Sequence, residues 1–254
     1  MKHLKLTSIL ICILLIQSCS AQKVDSRIEV VPVSIEQEAT SIWRTINDIG
    51  FFEQQGYNIR LPKDRLIDSL IVKSKKGTFG NNDYASIYNL LETKFFSKQD
   101  YVQAVKKVDD QNALITALVN TIDYKKEQWD WDFKMFDTYK IVFTLYGTGG
   151  SYDPDTGTIT LLTTKEGQFM NYQNPANTII HEITHMGMEQ SIVQKYKLPH
   201  GLKERIVDTF VYLMFKEQLP EYRVQNMGDT KIDNYLKKDD DLSKLNAIVS
   251  EFVD

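Results

Sequence analysis

The stretch NTIIHEITHMGMEQ, residues 177–190, holds two of the chain's four histidines, His181 and His185, with Glu182 beside the first. On an α-helix, residues four apart share one face with their β-carbons about 6 Å apart. Both imidazoles can therefore reach one metal ion, and zinc accepts neutral imidazole nitrogens readily. Glu182 is rotated about 100° around the same helix. That places it to touch a water on the metal rather than to ligate comfortably, which is the H-E-x-x-H arrangement. A hydrolytic zinc site uses three protein ligands and keeps one position open. The stretch LKERIVDTFVYLMF, residues 202–215, offers Glu204 and, one turn later, Asp208. Asp208 sits in a nearly unbroken apolar run, where an isolated charge would cost several kcal/mol. It needs a partner, and a metal site or a metal-bound histidine is one.

These residues need elements to hold them. Asn174 is a good helix N-cap and Pro175 a good first residue, so the spacing predicts a helix from about 175 to 193. After the break KLPHGL, a second helix should run from about 202 to 219 and stop at Pro220. Upstream, YKIVFTLYG (139–147) and GTITLLTT (157–164) are rich in β-branched and aromatic residues and read as strands. Between them lies GTGGSYDPDTG, with glycine and Pro-Asp turn chemistry. Residues 34 to about 130 follow a helical period, opened by a capping box at Ser34 and Gln37. This part reads as a helical layer forming one wall of a cleft, with no chemistry of its own.

His181-Glu182-Ile183-Thr184-His185, followed after 18 intervening residues by Glu204-Arg205-Ile206-Val207-Asp208, resembles the gluzincin (thermolysin-like) zinc metallopeptidases, with their H-E-x-x-H and E-x-x-x-D motifs. A metzincin would carry glycine and histidine where this chain has Met188 and Ser191. The resemblance covers roughly residues 140–215. It implies Zn2+ on His181, His185 and Glu204, Glu182 as general base, and Asp208 as the carboxylate that orients a ligand histidine. It implies an α+β fold: the helical N-terminal layer, then a zincin-like catalytic core over 131–254 with a small, mainly antiparallel sheet. Residues 34–254 would form one compact unit. It further implies an edge strand beside the metal helix to receive an extended peptide; GTITLLTT is the first choice for it and GTGGSY the second. His200, Tyr196 and Tyr212 are candidates to steady the transition state, with Tyr222 and Arg223 behind them. The implied activity is peptide-bond hydrolysis by a metal-activated water. A non-catalytic zinc-containing surface lipoprotein or binding module, and a zinc amidase acting on cell-wall material, are the alternatives.

The N-terminus reads as an export signal. Lys2 and Lys5 precede an apolar run of 11 residues, Leu6 to Ile16, too short to span a bilayer. LIQSCS then resembles a bacterial lipobox, with Cys19 as the lipidated residue. The expectation is a signal peptide over 1–18, a tether over 19–33 that ends in a short strand, and a protein anchored to a bacterial membrane, the outer one in a Gram-negative host. The only other cysteine, Cys12, lies in the removed segment, so thiolate metal ligands are excluded. Net charge is −4, and loss of residues 1–18 moves it to −6. That balance argues against nucleic acid as a partner, and a peptide or protein substrate is what the gluzincin resemblance implies.

Overall fold

A computed structural model of the protein describes residues 26–170 and 172–253. The segment read as a signal peptide and Cys19 lie outside the described residues. No described helix is long and apolar enough to cross a membrane.

The protein is a mixture of helix and sheet. The chain runs through β1 (Ile28–Val30), α1 (Ile35–Asn47), α2 (Ile49–Gln54), α3 (Arg65–Lys75), α4 (Tyr84–Leu90) and α5 (Val102–Lys125). It continues through β2 (Tyr139–Thr144), β3 (Ser151–Asp153), β4 (Thr158–Leu162), α6 (Pro175–Met188), α7 (His200–Phe215) and α8 (Leu245–Val253). The predicted caps are in place: Ser34 and Gln37 bond reciprocally at the start of α1, and the Asn174 side chain accepts from the Ala176 amide. α6 then continues as a π-helical turn over Glu189–Gln194.

The sheet has the order β1-β2-β4-β3. β1 and β2 are parallel, β2 and β4 are parallel, and only β3 and β4 are antiparallel. This corrects the expected mainly antiparallel sheet. β1 lies in the segment read as a tether and adds a parallel strand to β2, an arrangement that needs a long crossover through the helices. The turn 153–157 closes a hairpin: the Asp155 amide donates to Asp153 Oδ1, and Gly157 takes a φ of +68°. The hairpin folds β3 along one side of β4, and β4 therefore lies inside the sheet. Of the two edge strands, β1 and β3, the one against α6 is β3, Ser151–Asp153, which starts in the GTGGSY stretch, and not the GTITLLTT strand.

One face of the sheet, with Ile141, Phe143, Ile159 and Leu161, is buried in the larger apolar core with residues of α5, α6 and α7. α5, though sequential with the N-terminal helices, packs on α6 and β1. A smaller core holds α1, α3 and α4 together around Ile42, Ile46, Ile67 and Ile87. The buried carboxylate of Glu38 joins the two parts. It accepts from the Leu145 amide (2.9 Å), from the Tyr101 hydroxyl (2.5 Å) and from Thr144, so α1 is pinned to the end of β2. Burial raises the Glu38 pKa against these hydrogen bonds.

α6 is buried on nearly all sides, with twelve of its 14 residues inside the protein. Such a helix reads apolar all round. Gly187 permits this: a β-carbon there would lie 2.1 Å from the ring of Phe133. Phe133 stacks on Phe210 of α7 and Trp131 lies edge-on to it, so one aromatic cluster sets the metal-motif helix against its successor.

Candidate metal centre

α6 and α7 bring three atoms together. His185 Nε2 lies 3.0 Å from His181 Nε2 and 3.2 Å from Glu204 Oε2, and His181 Nε2 is 3.5 Å from the same oxygen. Tetrahedral zinc with bonds of about 2.0–2.1 Å sets its ligand atoms about 3.3 Å apart. The observed triangle has those dimensions, so His181, His185 and Glu204 form a group that could hold a metal ion.

Hydrogen bonding behind His181 points its free lone pair at the centre. Its Nδ1 is 2.7 Å from the Tyr222 hydroxyl and 3.2 Å from Asp208 Oδ1. Tyr222 donates its own proton to Asp208 at 2.7 Å, and Asp208 Oδ2 accepts from the Gln225 amide at 2.8 Å. Both neighbours of Nδ1 are therefore acceptors, so Nδ1 carries a proton, and when the imidazole is neutral Nε2 is the nitrogen left with a free lone pair. Asp208 thus stands where a carboxylate orients a ligand histidine. Tyr222 stands beside it, behind the imidazole, rather than in the cleft. Tyr152 stacks on the His185 ring at 5.0 Å and 8° between planes. The Nδ1 of His185 is buried and has no hydrogen-bond partner among the described residues.

Three such atoms crowded to about 3 Å need positive charge between them. A proton can provide it. Burial alone would lower the His181 pKa, but hydrogen bonds to Asp208 and Glu204 outweigh it and carry the imidazole up to about 10. Burial and the charge on His181 push His185 down to about 4. Burial would raise the Glu204 carboxyl, but its two histidine hydrogen bonds hold it far below the usual carboxylate range. A divalent cation supplies the same charge and satisfies all three lone pairs at once, so metal and proton compete for this cluster.

The group faces a cleft of about 560 Å³. Glu182 lines it, and among the described residues nothing donates a hydrogen bond to its carboxylate. Burial lifts its pKa to about 7, against the pull of the His181 charge and helped by Glu204. The backbone of Gly150, just before β3, closes over it. A β-carbon on Gly150 would fall 2.3 Å from Glu182 Oε1 and 2.7 Å from Thr178 Cγ2. Both contacts are too close to keep, and the Glu182 carboxylate meets the added carbon most closely, so Gly150→Ala must shift the Glu182 carboxylate along with Thr178 or the loop. For a hydrolytic site with Glu182 as its base, the expected result is a variant that binds metal as wild type but loses about 100-fold in rate, since misplacing a reacting group by about 1 Å costs on that order. Unchanged rate in a metal-loaded Gly150→Ala protein would show that this contact does not set the position of Glu182.

The other predicted site residues are distributed unevenly. His200 opens α7 and lines the cleft, with Nδ1 3.7 Å from Glu204 Oε1. Tyr196 does not reach the cleft, because its hydroxyl is engaged by Asn246 at 2.8 Å. Tyr212 lies two turns beyond Glu204, about 12 Å along the helix axis, and is 40% exposed. Arg223 lies outside the cleft lining as well.

The helical wall supplies chemistry that the sequence pattern did not reveal. Tyr57, after α2, lines the cleft, and its hydroxyl lies 2.8 Å from His200 Nε2. Burial, then the charges of Glu204 and Glu182, push its pKa up to about 12. Nothing in the local sequence GYN marks this tyrosine, and 143 residues separate it from its partner. Lys203 also lines the cleft, 3.5 Å from Glu204 Oε1. No protein-family model, curated protein or solved structure matches this chain.

Proposed function

We propose that this protein is a zinc-dependent peptidase. One observation carries the reading. Two imidazole nitrogens from α6 and a carboxylate oxygen from α7 stand at ligand spacing, in the same cleft as a buried carboxylate with a pKa near neutrality.

His181, His185 and Glu204 would hold the zinc, which when bound supplies a Lewis acid that polarises a carbonyl and acidifies a water. Asp208 and Tyr222 keep the proton of His181 on Nδ1 and its ring in place. Glu182 accepts the proton of the attacking water and passes it to the departing amine. Its side chain is suited to both steps, because its carboxylate is free of other partners and its pKa lies near 7. The unpaired edge of β3 can bond an extended peptide backbone, and the adjoining glycines let it approach closely. An export signal and lipid on Cys19 would place the cleft at a membrane surface.

Tyr57 is the donor we assign to the developing oxyanion. It shares the cleft with the ligand triad and keeps its proton at any working pH. Tyr57→Phe should lower kcat about 100-fold, the effect of removing one such donor, with zinc content unchanged. A variant with wild-type kcat would assign the role elsewhere, with His200 as the next candidate. The activity itself is tested by incubating zinc-loaded protein with a broad peptide library, with and without a chelator. Chelator-sensitive cleavage at backbone amides supports a peptidase. Bound zinc without cleavage of any peptide contradicts it.

A further inference from the structure

The metal cleft is one lobe of a longer groove. A second cavity, of about 410 Å³, lies between α1 and the sheet face opposite α5 and α6. Lys140, Val142 and Thr144 of β2, with Thr158 and Thr160 of β4, form its floor. The two cavities share six lining residues: Arg44, Phe52, Thr148, Gly149, Gly150 and Ser151. These form the neck between the lobes. A chain seated on the β3 edge and long enough to leave the metal lobe in this direction passes through it.

The neck has one charged side chain. Arg44, in the last turn of α1, is exposed and forms no salt bridge among the described residues. Elsewhere in the groove each lobe carries two carboxylates and one lysine, Glu182 and Glu204 with Lys203 and Glu36 and Asp48 with Lys140. Lys203 is engaged with Glu204. Glu36 and Asp48 already accept hydrogen bonds, from the Tyr88 hydroxyl and the Asn47 side-chain amide. The Arg44 charge reaches the Asp153 carboxylate of β3, which already accepts from the Asp155 amide, and the neck itself carries two glycines that leave room for a bound chain. A guanidinium in that position presents a planar fork of donors that matches a carboxylate in two-point contact.

We propose that Arg44 is a specificity-determining residue. It binds a carboxylate of the substrate, either an acidic side chain or the chain's own C-terminus, where the substrate crosses from the metal lobe into the second lobe. This deepens the peptidase reading and rests on it.

The test separates the two. Zinc-loaded Glu182→Gln protein, made to slow turnover, is titrated by fluorescence anisotropy with labelled short peptides. These carry a single Asp or Lys stepped through every position, each with a free or an amidated C-terminus. The expected result is about a tenfold preference for a carboxylate at one position, lost in Arg44→Gln and reversed toward Lys in Arg44→Glu. Preference for an internal Asp identifies a side-chain carboxylate. Preference for the free over the amidated end identifies the terminus. An Asp-to-Lys ratio that is the same at every position and in all three proteins overturns the proposal, as does failure of every peptide to bind. Charge-selective binding without cleavage by the wild-type protein would instead overturn the peptidase reading and leave the carboxylate site standing.

Discussion

Glu182→Gln should lower turnover roughly a thousandfold, within the range that a general base contributes, while the protein keeps its metal. The amide is nearly isosteric with the carboxyl, so Gly150 and Thr178 can pack against it as before. Glu182 donates nothing to the His181, His185 and Glu204 triangle, so metal content should match wild type. What disappears is the group proposed to accept the water's proton. The same residue governs the acid side of the pH profile. A protonated carboxyl cannot accept, so activity falls as pH drops through the Glu182 pKa. Burial sets that pKa at about 7 before any metal is counted, and a nearby cation lowers it, so the acid limb lies below neutrality. Glu182→Gln removes that limb along with the rate. A variant with wild-type rate, or with lost zinc, would separate Glu182 from the role of base.

Glu204→Ala should abolish stable metal binding. Among the described residues its carboxylate is the one candidate ligand from α7, and it lies 3.2 and 3.5 Å from the two imidazole nitrogens. Losing an outer partner such as Asp208 costs roughly 10–100-fold in affinity. Losing a ligand itself should exceed that, so the expected loss is more than about 100-fold. The fold should persist, since α7 is held by Phe210, Val207 and Val211 in the larger core. Zinc bound equally by the variant and the wild type would remove Glu204 from the centre.

The metal helix was legible because its signals are local. Asn174 and Pro175 mark its start, an apolar run marks its burial, and the spacing of His181 and His185 marks one face. The Glu204 and Asp208 pair was legible for a related reason: an aspartate in the run Ile206 to Val211 has to meet something. The sheet was not legible to the same degree. Strand content follows from β-branched residues, but the order β1-β2-β4-β3 depends on which edges remain free after the helices pack. The hairpin turn at Asp153–Gly157 was visible, yet its consequence, that β3 and not β4 becomes the edge, depends on β4 finding β2. Tyr57 left no trace, because its place in the cleft comes only from the placing of α2 beside the start of α7. Tyr222 was visible as a tyrosine near the motif. Its position behind His181 depends on how the chain returns after α7.

The most direct test is X-ray absorption at the zinc edge on the purified, zinc-reconstituted protein. The account predicts one zinc per chain, with scattering from two imidazoles and a carboxylate oxygen at about 2.0–2.1 Å. The imidazole signal should vanish in a His181→Ala, His185→Ala double variant. A first shell without imidazole, or one unchanged in that double variant, would contradict the account.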